Sequence, residues 1–157
     1  MEIALTINDE MRRVHIWPGE TLLKLLRRLG YAGVKHGCED GSCGVCTVLL
    51  DGRPIHSCIL LAAQAEGRQI TTIEGIGTYD RPHPLQAAFV AGGAVQCGFC
   101  TPAMILSAKA LLDENPHPTE AEVREALSGV LCRCTGYVKP VEAVLRVAEE
   151  VANAAAV

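Results

Sequence analysis

The chain has 157 residues, a formal charge of −4, 49% apolar residues and 4% aromatics. That length allows one domain or two small ones, and the apolar share suffices for a modest core in each. With no Lys/Arg cluster and few aromatics, nucleic acid and anionic membrane surfaces are poor partners, and the lack of an apolar stretch of bilayer length rules out a membrane span.

The alternation over Met1–Asn8 predicts a strand, and Asn8–Asp9 is turn chemistry. The first residues lack a basic stretch followed by an apolar one, so no secretory signal is read and a cytoplasmic setting is expected. Arg12–Trp17 predicts a second strand, ended by Pro18–Gly19. Thr21 can cap a short helix carrying Leu22, Leu23, Leu25, Leu26 and Leu29, with Gly30 as its stop. Gly37–Gly44 is a glycine-rich, charged loop. Thr47–Leu50 and Arg53–His56 form a hairpin around Asp51–Gly52, with Pro54 suiting a sheet edge. A helical turn over Ile59–Gln64 and a last strand over Gln69–Ile73 complete this region.

The remainder changes texture. Gly75, Gly77 and Pro82 mark 75–83 as a linker. Pro84 opens a helix with Leu85, Ala88 and Phe89 on its apolar face. Thr101–Pro102 reads as a cap followed by Pro, starting a helix that runs to about Asn115 before Pro116 and Pro118 stop it. Thr119 with Glu122 is a capping box, followed by Val123, Ala126, Leu127 and Val130 on one face. Val141, Val144, Leu145, Ala148 and Val151 stripe a final helix, with Val151–Val157 expected to fray. The expected class is therefore α+β: a sheet grasping a helix over 1–74, a linker over 75–83, and four helices over 84–157.

The eight cysteines fall into two sets. Without an export signal, grouped thiols point to metal rather than disulfides. Cys38, Cys43, Cys46 and Cys58 are spaced C-x4-C-x2-C-x11-C, the plant-type ferredoxin spacing for a [2Fe-2S] cluster. Such a loop must bend inward to aim backbone N–H groups at sulfur, and Gly37, Gly41, Ser42 and Gly44 are small enough to permit it. The alternative is a four-cysteine zinc site, which usually pairs C-x2-C with C-x2-C and fits the x4 arm poorly. Cys97, Cys100, Cys132 and Cys134 are spaced C-x2-C-x31-C-x-C, each arm preceding a helix start. Free N–H groups and the positive dipole end there suit thiolates. On spacing alone, this second set leaves both an iron–sulfur cluster and zinc open.

GCEDGSCGVCTVLLDG, then SC at 57–58, QCGFCTPAMI and LCRCTGY, in that order, resemble the small iron–sulfur subunit of molybdenum hydroxylases, the xanthine dehydrogenase/aldehyde oxidoreductase family that includes carbon monoxide dehydrogenase. The resemblance covers about residues 2–150. It implies a β-grasp ferredoxin domain followed by a four-helix domain, each carrying one [2Fe-2S] cluster. It further implies a large molybdopterin-binding subunit near the second cluster, approached by Gln96 and the Cys134 side of the loop. The first cluster would pass electrons outward, in many relatives to FAD in a medium subunit. The chain has Ala103 where the family usually has Gly, and Val45 where it usually has Ala; neither removes a ligand. The expected role is an electron-transfer subunit of a heteromeric oxidoreductase, with no catalytic residue in this chain and the substrate bound elsewhere. A free-standing double-cluster carrier and a zinc-stabilised interaction module are the alternatives.

Other residues are read blandly. His15, His36, His56, His83 and His117 are expected in strands, loops or surface, since two complete cysteine sets leave no ligand vacancy. Phe99 is expected to pack, Glu39 and Asp40 to form a solvated loop face, and Arg133 either to offset cluster charge, touch a partner or stay solvated. No glycine-rich phosphate loop follows a strand, so FAD is not expected in this chain.

Overall fold

The computed structural model describes residues 1–155. Strand β1 (Glu2–Ile7) turns back at Asn8–Asp9 into β2 (Glu10–His15). Both turn residues have positive φ, 50° and 67°, as a tight hairpin between right-twisted strands requires. That turn moves β2 two residues earlier than Arg12–Trp17, because Glu10 already pairs with Ile7. Helix α1 (Leu22–Arg28) follows, with the Thr21 hydroxyl accepting from Lys24 N and Gly30 (φ 96°) just past its end. Strands β3 (Thr47–Leu50), β4 (Arg53–His56) and β5 (Gln69–Thr71) complete one sheet of order β2-β1-β5-β3-β4. Only β1 and β5 run parallel; the other neighbours are antiparallel. Pro54 lies in β4, an edge strand as expected. The predicted turn near Ile59–Gln64 is a 3-10 turn at Ala62–Ala65. Beyond Thr71 the predicted strand gives way to a second 3-10 turn, Ile73–Gly75.

This is a β-grasp. Leu22, Leu23, Leu25 and Leu26 of α1 are buried against Ile3, Leu5, Ile7, Val48, Leu50 and Ile70 on one sheet face. Each such leucine contributes about 1.5–3 kcal/mol on leaving water. Chain alternation sends Thr47 and Leu49 to the opposite face, yet these too are buried. Their cover comes from the second half.

That half has four helices among the described residues: α2 (Pro84–Ala91), α3 (Thr101–Glu114), α4 (Glu120–Ser128) and α5 (Val138–Ala155). Leu85, Phe89, Met104, Val123, Leu127, Val141 and Val144 form its core. The capping box Thr119–Glu122 is present. At α3, Cys100 holds the cap position without a side-chain bond, and Thr101 is already helical, so the expected threonine cap is corrected by one residue. Six successive residues of α3, Ala103–Ala108, are buried. A helix apolar on nearly every side must be covered on every side. It packs on β3 and β4 with one face and on α2, α4 and α5 with the others. α5 stays helical through Ala155, past the start of the expected fraying, and the last two residues of the predicted Val151–Val157 tail lie outside the described residues.

Candidate metal centres

The first four cysteines meet at the loop between α1 and β3. Cys38 and Cys43 are half-buried, while Cys46, just before β3, and Cys58, just after β4, are buried. Positive φ at Glu39 (68°), Gly41 (85°) and Gly44 (68°) curls the loop inward. Cys43 N–H donates to Cys38 Sγ at 3.4 Å, an inward-pointing amide of the kind the glycine-rich loop predicted. At Gly37 a Cβ would come 2.7 Å from Cys43 Sγ, so only glycine lets the thiol close in. Ser57 Oγ donates to Cys46 O at 2.7 Å, tying the fourth arm to the third.

The second four lie at two helix approaches. Cys100 is buried at the start of α3, Cys132 half-buried, and Cys97 and Cys134 exposed. All four line one cavity of about 770 Å³, together with Phe99, Leu131, Arg133, Gly136 and Tyr137. Thr135 Oγ donates to Cys132 Sγ at 3.1 Å, and Cys132 N–H donates to the Tyr137 hydroxyl at 2.8 Å. Gln96 Nε2 donates to Cys134 O at 3.1 Å, so Gln96 holds the exposed arm of the loop. Phe99, expected to pack, is instead 45% exposed on the cavity rim, because the turn before α3 faces outward there.

In both sets the thiols stand in pairs. Cys97 and Cys134 sulfurs are 3.6 Å apart. Two thiolates on one tetrahedral metal, with bonds of about 2.3 Å, stand roughly 3.8 Å apart. The Cys100 thiol likewise feels that of Cys132, Cys58 that of Cys46, and Cys43 that of Cys38, each neighbour holding the first-named thiol protonated. Among the described residues no group of three or more Cys, His, Asp or Glu surrounds one point as a single ion needs. Two pairs per site suit a body with two metal ions, and the soft thiolate donors suit iron and sulfide.

Burial pushes the Cys58 and Cys100 thiols up to about 12, reinforced by the neighbouring thiol in each case. Burial also raises Cys43, and the Cys97 thiol raises Cys134. One thiol in each set goes the other way. At Cys38 a hydrogen bond with Asp40 pushes up, but the N–H groups of Asp40 and Cys43 outweigh it and bring the pKa to about 7. At Cys132 burial is outweighed by the Thr135 hydroxyl and by the N–H groups of Thr135 and Cys134. Cys38 and Cys132 are therefore the thiols readiest to bind metal as thiolate. Asp40, held near 2 by Ser42 and then by Cys38, is exposed as expected but also shapes the loop.

The two sites touch through backbone. Leu131 N–H donates to Cys43 O at 2.8 Å, one residue before Cys132. Beside this bond, a Cβ on Gly44 would lie 1.9 Å from Gly129 O. Val45 is buried in the core of the helical half, not of the sheet half. Of the histidines, His36 pairs with Glu39 at 3.2 Å and His83 caps α2, its Nδ1 accepting from Leu85 N. Sequence reading missed Thr135, Tyr137 and Leu131. The two hydroxyls stand in the LCRCTGY motif and could have been noticed, whereas the bond of Leu131 to Cys43 runs through its backbone, which no residue type signals.

Four thiols on a ferredoxin-type loop and four at helix approaches mark two candidate metal centres of the class found in electron-transfer proteins. The profile of the 2Fe-2S iron-sulfur cluster binding domain matches residues 5–72, and that of the [2Fe-2S] binding domain residues 72–145. The chain is 50% identical to the nicotinate dehydrogenase small FeS subunit of Eubacterium barkeri, over 96% of this chain and 97% of that one. It is 48% identical to the xanthine dehydrogenase iron-sulfur-binding subunit of Escherichia coli O157:H7, over 91% of each. It superposes on a chain of quinoline 2-oxidoreductase from Pseudomonas putida 86 with a TM-score of 0.92, at 46% identity, covering 98% of this chain and 96% of that one. The chain belongs to the small [2Fe-2S] subunits of the molybdenum hydroxylase family. It is an electron-transfer subunit of a heteromeric oxidoreductase, carries two [2Fe-2S] clusters and works with larger partner subunits. Among the described residues no helix is long and apolar enough to cross a membrane.

Proposed function

We propose that Cys38, Cys43, Cys46 and Cys58 ligate one cluster, and Cys97, Cys100, Cys132 and Cys134 the other. When bound, each cluster supplies a one-electron Fe(III)/Fe(II) couple. The observation that carries this reading is the paired arrangement of the thiols, with four of them around one cavity. Gln96 and Cys134 face a large molybdopterin-binding subunit, since their exposed arm is the open side of the second site. With both clusters bound, the exposed Cys97–Cys134 side would be the entry, the Leu131–Cys43 hydrogen bond would join the two sites, and the loop bearing Cys38 would face FAD in a medium subunit. The chain divides into a ferredoxin-type domain over 1–74, a linker over 75–83 and a four-helix domain over 84–157. Eight cysteines held as cluster thiolates suit a reducing, cytoplasmic setting.

The test is EPR of the reduced complex carrying single substitutions. Cys38→Ser should abolish one [2Fe-2S] signal and Cys97→Ser the other, each leaving its neighbour. Retention of both signals in either variant would refute the assignment. Molybdenum and flavin assays of the co-purifying chains test the partners.

A further inference from the structure

We infer that Arg133 is the charge-compensating residue of the second centre: its guanidinium holds that cluster at a higher potential than the thiols alone would set. This rests on the ligation proposed above. Arg133 lies between Cys132 and Cys134 and is the one formally charged side chain lining the cavity that all four thiols share. Among the described residues it makes no salt bridge, so no carboxylate of this chain cancels its charge. Four thiolates and two sulfides outweigh the charge of two ferric ions, and each added electron deepens the net negative charge. A cation in the wall stabilises the reduced form more than the oxidised one, which raises the potential.

The setting strengthens the effect. Phe99 and Leu131, 45% and 55% exposed, flank the same cavity. Once a partner covers that apolar rim, water leaves and the field of Arg133 is less screened. The first site is built differently. Its loop charges are the carboxylates of Glu39 and Asp40, and Glu39 is met by Lys24 and His36. Arg133 is therefore a tuning residue for one centre only.

The measurement is potentiometric titration of both EPR signals in the purified complex. In Arg133→Gln the midpoint of the second signal should move to more negative potential while the first stays in place. Arg133→Lys should remain near the parent value, and Arg133→Glu should move further negative than Gln. An unmoved second midpoint, or equal movement of both, would overturn the inference. Arg133→Met provides a second neutral variant. If Gln and Met both lose the second signal while Lys keeps it, the residue is structural and the tuning role fails. A missing second signal in the unaltered complex would instead refute the ligation on which the inference rests.

Discussion

The two sites solve one problem with opposite materials. The first gathers three thiols from a single nine-residue loop, Cys38–Cys46, and a fourth from just after β4. Backbone turns do most of the shaping, at Glu39, Gly41 and Gly44. The second gathers two thiols from each of two segments that only helix packing brings together, and it borrows side-chain hydroxyls from Thr135 and Tyr137. The first is covered on its Gly44–Val45 side by the rest of the chain, with Val45 sunk in the helical core and Gly44 against Gly129, while Glu39 and Asp40 stay exposed. The second leaves Cys97 and Cys134 exposed. The helical half thus covers its neighbour's site and presents its own outward, which is the arrangement a relay needs.

If that coupling is right, damage to the helical core should reach the first site. Phe89→Ala removes a fully buried ring at an expected cost of about 3–5 kcal/mol. In denaturant titrations followed by cluster absorbance and EPR, both signals should be lost at one lowered midpoint. Survival of the first signal alone would make the halves independent.

A sharper version compares two glycines across the seam. Gly44→Ala places a methyl against Gly129 O at positive φ, at an expected cost above about 2 kcal/mol. Gly129→Ala has nothing nearer than His56 Nε2 at 4.0 Å and should cost under about 0.5 kcal/mol. Equal costs in thermal melts would show that the contact is not the tight one described. Thr119→Ala removes the cap of α4, remote from either cluster, and should cost about 1 kcal/mol with both EPR signals unchanged.

The smallest effect is a pH dependence confined to the helical half. Burial, then the charge of Lys109, lowers the His83 pKa below its ordinary 6.5. The unfolded chain therefore takes the proton more readily, so stability is full above about pH 6.5 and falls on acidification below it. Protonation also removes the Nδ1 acceptor that caps α2. Melting temperature should drop between pH 7 and 5, and His83→Asn should flatten that drop. An equally steep drop in the variant would assign it to other groups.

Much of the fold was legible because its signals are local. Asn8–Asp9, Asp51–Gly52, Thr21, Pro84 and the Thr119–Glu122 box each specify a turn or cap through their own backbone chemistry. Element ends were less so. β2 began early because pairing with β1 set its register, and Thr101 lost the cap position to Cys100, whose backbone is held helical in the turn carrying the thiols. Phe99 read as core from its chemistry and lies on a rim, since apolarity alone does not say which surface is waiting for a partner.

The sequence by itself determined the α+β order, the two cysteine sets and their resemblance to a family, because spacing along a chain constrains which thiols one loop can gather. Only the tertiary structure decided which thiols pair, that α3 is sandwiched between sheet and helices, and that Gly44, Val45 and Leu131 join the two sites. The Gly44–Gly129 and Cys43–Leu131 contacts link residues some 85 positions apart in the numbering and use backbone atoms that every residue type shares. No side-chain pattern encodes them, so they exist only once both halves have packed.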